Sequence, residues 1–586
     1  MSFDAILSRI AEREQVSSSE LLPYLCLERR EHRANVNTLL AKAYFQAGRE
    51  PDIQQAKVFI QRAWLLSRFS PELLPLYIQI YSALDDISGI REAYKRVGMT
   101  MASKGNLSEA IRYFDLWQYG YAEFRNVDKY EYDFDILDCI DRIARSYKLS
   151  PKPRTANLKD GKLRVAYLVK GIVETGSILV TINLFYAQFH DRERVEPIFF
   201  VPESENSVLA STTGREHLQL FESYGCRVIM GPNVSTREDR LLAVARMIEE
   251  AQPDILVTSA ALATFDHYFI TSLRPAPVVI GLVQGPPQQF APLALDWGIA
   301  WNNGPLMDCP VSCSPFHMEQ HLPNREMIEP SKKSEFDLPE QSCLIASAGR
   351  YVKFQKPEFW KAIIDILNDH SETYYLAMGV EESQIPFLSS MLTPATRSQI
   401  RFMGWRGSDY LRTLCLADIY IDTFPSGGGG VLVDAMALGI PVVSFEDNYM
   451  KLYDQTDWSP AAELFDVPEL IVPRGNFTEM KSLVSHLIDD PEYRRELGQR
   501  CQTYMLETKG DPSRAVHKCE DLYRRILEQR SAGEASLGPR EAEIEEIVRV
   551  KPIKTRPSRV AWTAYQMKRV LRLGERMLDR IAERKG

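Results

Sequence analysis

The sequence contains no uninterrupted apolar run of about 18 residues, so no membrane-spanning helix is expected. Its opening, MSFDAILSRIAERE, is charged throughout and lacks the apolar centre of a signal peptide. Cysteine is sparse, nine residues scattered over 586, which points to a reducing compartment and away from a disulfide scaffold. Cys309 and Cys313 stand close together, but no second ligand pair accompanies them, which argues against a zinc site. An excess of basic charge is also missing. The net charge of −9 gives no reason to expect nucleic-acid binding. These absences make a cytoplasmic protein the expectation.

Hydrophobic residues make up 45% of the chain, enough for sizeable cores, and 586 residues should hold two to four domains. The most informative stretch is residues 417–447, ADIYIDTFPSGGGGVLVDAMALGIPVVSFED. A short strand runs from Asp418 to Thr423. A Pro-Ser turn and four glycines, Gly427, Gly428, Gly429 and Gly430, follow it. Val431 to Leu438 has helical character and stops at Gly439, and Val442 to Phe445 is a second buried strand. Strand, glycine loop and helix form half of a βαβ unit. Loop glycines let backbone N–H groups approach a ligand, and the helix N-terminus adds partial positive charge. This is a seat for a phosphate or pyrophosphate. Asp434 lies one turn inside the helix, where its carboxylate can accept hydrogen bonds from a ribose.

Residues 1–150 read as helices with few strand-like runs. Leu39, Leu40, Ala43 and Tyr44 share a face before Gly48, and Ala56, Val58, Phe59 and Ala63 lead to Leu66. Pro71 opens a third helix, and the pair Arg91–Ser103 and Leu107–Trp117 follows across Gly105 and Asn106. Small residues at helix crossings with aromatics between them resemble tetratricopeptide repeats, an architecture that holds peptides or proteins on a concave face. Asp133 and Asp135 have the spacing of a metal-binding pair, but no strand end precedes them, and metal binding is not expected there.

Residues 155–335 alternate strands and helices. The strands are Leu163–Val169, Val195–Pro202, Arg227–Gly231, Ile255–Ser259 and Val278–Val283. This predicts a parallel sheet covered on both faces. Gly285, Pro286 and Gln288 follow the last strand at its C-terminal end, where ligand crevices form in such sheets. Residues 340–530 repeat the pattern, with strands Leu344–Ala348, Tyr374–Met378 and Ile400–Met403 before the glycine loop. Arg350, Lys353 and Lys356 lie past the end of the first of these, on the same edge as the glycines. A cation there neutralises phosphates, and a lysine stabilises charge growing on a departing diphosphate. Residues 531–586 form a linker followed by a basic amphipathic helix, Val560–Ile581, able to lie on an anionic membrane surface.

Two Rossmann-like domains with a diphosphate seat in the second resemble the GT-B fold of nucleotide-sugar glycosyltransferases. Asp422-Thr-Phe-Pro-Ser-Gly-Gly followed by Asp434-Ala-Met-Ala-Leu-Gly-Ile-Pro-Val-Val is similar to a stretch of the protein O-linked N-acetylglucosamine transferases. Arg274-Pro-Ala-Pro-Val with Gly285-Pro-Pro, and Leu322-Pro with Ser347 to Lys353, resemble two further segments of that family, as does the helical front end. The resemblance implies an α/β GT-B enzyme preceded by an all-α helical domain. It implies an inverting transferase, with no cofactor and no metal, that moves a sugar from a nucleotide diphosphate, UDP-linked GlcNAc or another hexose, to a protein hydroxyl.

By position, the resemblance places Lys353 on the nucleotide phosphates and Gly428 to Val431 in the diphosphate loop. Asp434 falls on the ribose, and Met403, Gly404 and Trp405 where the backbone reads the base. Gly429, Gly430 and Val431 replace the family's His-Thr-Thr, leaving backbone N–H groups to hold the diphosphate. The family's histidine before the Arg-Pro-Ala-Pro segment is two positions out of register with His267, which stands beside Asp266 as a candidate base. Three other readings stay open. The acceptor is a glycan or lipid-linked saccharide at the inner membrane face, the chain is a silent scaffold that binds nucleotide sugar, or it is a GT-B epimerase.

Overall fold

The computed structural model describes residues 2–84, 86–123, 133–147, 149, 161–174, 177–258, 264–283, 295–300, 313–315, 322–425, 427, 430–445 and 467–531. Gly285, Pro286, Gln288, Gly428, Gly429 and the 532–586 tail therefore lie outside the described residues. The chain divides into two compact units: residues 1–126 with 133–143 and 236–238, and the remainder.

The first unit is helical: α1 (Phe3–Ala11), α2 (Ser18–Leu25), α3 (Arg30–Ala47), α4 (Glu50–Leu66), α5 (Leu74–Ala83), α6 (Ile87–Ser103), α7 (Leu107–Glu123) and most of α8 (Phe134–Ser146). α3 packs on α4 and α6 on α7, with α5 touching both α4 and α6. Gly48 ends α3 with φ at 75°, a left-handed conformation that suits glycine. Leu40, Ala56, Phe59 and Ala63 enter one core as expected. Leu39 and Val58 do not: they are 41% and 39% exposed, on the outer side of the stripe. Pro71 opens a 3₁₀ turn, Pro71–Leu73, and the α-helix begins at Leu74. Asp133 and Asp135 both pair with the Lys95 ammonium, at 2.6 and 2.8 Å, so the acidic pair anchors α8 to α6.

The second unit holds two sheets. The first contains β1 (Leu163–Leu168), β2 (Val195–Ser204), β3 (Arg227–Gly231), β4 (Ile255–Thr258), β5 (Val278–Val283), β6 (Trp297–Ala300) and β7 (Cys313–Pro315). Their order is β3-β2-β1-β4-β5-β6-β7, and every pairing is parallel. Between them run α9 (Ile178–Phe189), α10 (Glu205–Ala210), α11 (Thr212–Ser223), α12 (Arg237–Ala251) and α13 (Phe265–Ser272). β6 and β7 were not anticipated; they are four and three residues long, too short to show a period.

The second sheet contains β8 (Cys343–Ala348), β9 (Thr373–Met378), β10 (Ile400–Gly404), β11 (Ile419–Ile421), β12 (Val442–Phe445) and β13 (Ile471–Val472), in the order β10-β9-β8-β11-β12-β13, again all parallel. Its helices are α14 (Pro357–Asp369), α15 (Pro394–Gln399), α16 (Tyr410–Leu414), α17 (Gly430–Ala437), α18 (Phe477–Asp489) and α19 (Pro491–Lys509). α14 buries Phe359, Trp360, Ile363, Ile366 and Leu367 against the sheet. Each such side chain contributes about 1.5–3 kcal/mol relative to exposure.

The last helix among the described residues, α20 (Pro512–Ser531), leaves this domain. Ala515, Val516, Cys519, Leu522, Tyr523 and Ile526, at helical spacing, enter the core of the first sheet. Chain that follows the second sheet in sequence thus completes the first. Among the described residues no helix is long and apolar enough to cross a membrane.

Candidate active site

Both sheets reverse their strand order at one place. In the second sheet the chain runs outward from β8 through β9 to β10, then returns to the other side of β8 as β11. The loops after β8 and β11 therefore part above the same pair of strands, which opens a crevice at their carboxyl ends. Lys353 follows β8 and the glycine loop follows β11.

Buried neighbours hold each loop. After β8, Phe354 is fully buried and its carbonyl accepts a 2.8 Å bond from the Trp360 indole of α14. This fixes the turn that carries Lys353. The Lys353 ammonium reaches over the crevice to the Gly427 carbonyl, at 3.4 Å. Desolvation lowers its pKa, the nearby Asp422 carboxylate opposes that shift, and Arg350 adds to it. Asp422 is itself fixed: its carboxylate accepts from the Thr423 N–H at 3.0 Å and the Ser444 hydroxyl at 2.8 Å. The result is a partly buried cation near the Asp422 carboxylate, set beside the first glycine of the loop.

The edge continues through glycines. The Gly349 N–H donates to Met378 at 3.1 Å and the Gly379 N–H donates to Gly404 at 2.7 Å, so backbone rather than side chains lines the floor. Gly404 has φ at 53°, and Trp405 beyond it is 71% exposed. On the far side, Gly430 and Val431 begin α17 and Asp434 lies one turn on. The Tyr410 hydroxyl donates to Asp434 at 3.1 Å. Burial raises the Asp434 carboxyl to about 7, against the pull of that hydrogen bond.

Of the residues expected from sequence, the fold brings Arg350, Lys353, Met403, Gly404, Trp405, Gly427, Gly430, Val431 and Asp434 to one sheet edge. Lys356 stands at the N-cap of α14. Two further residues were not singled out in the sequence. Tyr410 reads there as an ordinary apolar position of a helix. Arg474, just past β13, donates to the Pro425 carbonyl at 3.4 Å and lies 5.6 Å from the Phe424 ring, so it supports the turn before the glycines. Its signal was its place directly after a strand, Ile471–Val472, too short to recognise.

His267 is corrected. It was a candidate base, but its side chain is 1% exposed and its Nδ1 lies 3.1 Å from the Thr258 hydroxyl. Burial lowers its pKa to about 3, with Lys170 nearby reinforcing the shift. This is a neutral core imidazole that packs α13 on β4. Asp266 begins the same helix, its N–H donating to the Thr264 hydroxyl at 3.2 Å.

Two parallel sheets of this order, each with a crevice at its switch point, and a last helix that crosses back to the first define the GT-B fold. The full architecture is similar to a solved O-GlcNAc transferase of Thermobaculum terrenum: 15% identity, 91% of this chain and 98% of that one covered, TM-score 0.54. Anabaena HepE, solved in complex with UDP and glucose, superposes more loosely: 12% identity, 61% of this chain and 99% of that one, TM-score 0.45. No protein-family model and no curated protein sequence matches the chain.

Proposed function

We propose that the chain is an inverting glycosyltransferase that moves a hexose from a nucleoside diphosphate, UDP in the first instance, to a hydroxyl of a protein. The observation that carries this reading is the Lys353 ammonium 3.4 Å from the Gly427 carbonyl, a cation held over a glycine loop at a GT-B switch point. Diphosphate seated on the loop and on the N-terminus of α17 would take Lys353 as its counter-charge. The anomeric C–O bond breaks with its electron pair moving onto the diphosphate, and the positioned cation favours that charge most at the transition state. Asp434 holds the ribose, and the glycine edge from Gly349 to Gly404 leaves room for the base. No metal is needed in this scheme, because Lys353 and backbone N–H groups carry the neutralisation. The helical unit holds the acceptor protein.

The test is release of nucleoside diphosphate from UDP-, GDP- and TDP-sugars by the purified chain, alone and with cell extract as acceptor source. Release from one donor, lost in Lys353→Ala, is expected. Neither binding nor release under any condition would leave a scaffold as the better description.

A further inference from the structure

The first sheet has a switch point of its own. The chain runs from β1 outward through β2 to β3 and returns beside β1 as β4, so the crevice lies above β1 and β4. Lys170, Gly171 and Glu174 follow β1, and Thr264 to His267 come in after β4. Glu203, at the end of β2, sends its carboxylate toward this place and accepts a hydrogen bond from the Gly171 N–H. Its Oε2 is shut off from solvent and has no hydrogen-bonding partner among the described residues.

Two glycines lie close to Glu203, Gly171 in the loop after β1 and Gly231 at the end of β3. Gly171 has φ at 78°, and a Cβ there would come within 2.7 Å of the Ser177 hydroxyl and 2.9 Å of the Glu174 carboxylate. At Gly231, at the end of β3, a Cβ would come within 2.9 Å of the Glu203 carbonyl. Leaving a carboxylate oxygen buried and unbonded carries its full desolvation penalty. An oxygen held that way is satisfied by a donor that arrives with a ligand.

We propose that this switch point receives the acceptor hydroxyl and that Glu203 is the base that deprotonates it. The inference rests on the transferase reading above. The hydroxyl donates to Glu203 Oε2 and its proton passes there. Its oxygen forms the bond to the anomeric carbon, and the bond from that carbon to the diphosphate breaks, the electron pair leaving with the diphosphate. Burial raises the basicity of Glu203, with the Asp266 and Glu174 carboxylates adding repulsion and the N–H groups of Gly171 and Glu203 itself opposing it. The other titratable groups on the packed elements are Lys170, the neutral His267 near it, and Arg240 of α12, whose Nε donates to the Pro202 carbonyl at 2.9 Å.

The experiment uses the full chain. UDP binding is measured by calorimetry, and transfer of labelled sugar to extract protein is followed across pH for the wild type, Glu203→Gln and Glu174→Gln. Glu203→Gln is expected to bind UDP as the wild type does and to lose transfer by at least about a hundredfold. Glu174→Gln removes one repulsive charge, so the acidic limb of its pH profile should move to lower pH, a change that a purely structural role would not produce. This second variant also carries the test if Glu203→Gln does not fold. Transfer by Glu203→Gln within about threefold of wild type, or an unmoved limb in Glu174→Gln, would overturn the assignment. Loss of UDP binding by the wild type itself would instead bring down the transferase reading, and this inference with it.

Discussion

The Tyr410 hydroxyl donates to the Asp434 carboxylate across 3.1 Å, joining α16 to the helix that follows the glycine loop. Burial still wins over that bond and holds Asp434 at about 7, above its ordinary 3.8. A carboxyl raised in the folded state contributes stability that is present below its unfolded pKa and is lost as pH rises through the folded one. Asp434→Asn should therefore stabilise the chain above about pH 7, by on the order of 2 kcal/mol, and give no gain near pH 4. The same change should loosen UDP binding about tenfold, because the proposed ribose hydrogen bond is weakened. Urea midpoints at the two pH values and a UDP titration check both. A gain of equal size at both pH values would remove the buried carboxyl as its source.

Lys353→Ala separates turnover from binding. In the proposed reaction the lysine faces a diphosphate whose charge grows as the bond to sugar breaks, so its loss should lower kcat by about 10²–10³. UDP binding should weaken far less, since the loop N–H groups and the α17 N-terminus remain. Stopped-flow binding set against steady-state release tests the split. Equal losses in both would make Lys353 a binding residue only.

The helix that crosses back is held by a buried polar contact as well as by its apolar stripe. Glu520 of α20 bonds the His190 imidazole at 2.8 Å and accepts from the Asp191 N–H at 2.9 Å, while the other imidazole nitrogen meets the Tyr167 hydroxyl at 2.6 Å. Glu520→Ala leaves these donors buried without a partner and should destabilise by about 3–5 kcal/mol. Glu520→Gln keeps an acceptor in place and should lose less. Denaturant unfolding of the pair provides the comparison, and equal losses would mean that packing alone docks the helix.

Much of the second domain was legible because its strands are continuous apolar runs that end in glycine. The runs Leu344–Ala348 and Tyr374–Met378 sit within one residue of β8 and β9, and α17 begins at Gly430, one residue before the helix read from Val431. What could not be read depends on distance in sequence. Nothing local says that Cys519 and Tyr523 will complete a core begun at Leu163, because their helical stripe would suit either sheet. His267 was misjudged for a related reason. A histidine beside an aspartate looks reactive in sequence, and only the tertiary packing seals it under β4. Glu203 escaped notice because a single carboxylate at a strand end is common. Its isolation becomes visible only when Gly171 and Asp266 are brought to it.

The floor of the proposed nucleotide crevice offers a test that separates backbone strain from contact. Gly379 has φ at 81° and Gly105 has φ at 77°, so alanine at either meets a similar left-handed penalty of about 1–2 kcal/mol. Their surroundings differ. A Cβ at Gly105 meets nothing within 4 Å, whereas at Gly379 it falls 2.6 Å from the Gly349 carbonyl oxygen. That oxygen is backbone and cannot rotate aside. Gly349 in turn stands against the stem of Lys353, 3.0 Å from its own built Cβ to the lysine Cδ. Gly379→Ala should therefore cost about 2 kcal/mol more than Gly105→Ala in urea unfolding. It should also weaken UDP binding, because the displaced Gly349 carries the Lys353 turn with it, while Gly105→Ala leaves binding unchanged. Equal losses of stability, with UDP binding intact in both, would show that the crevice floor yields to a methyl group and that the close approach of Gly379 to Gly349 is not what shapes the site.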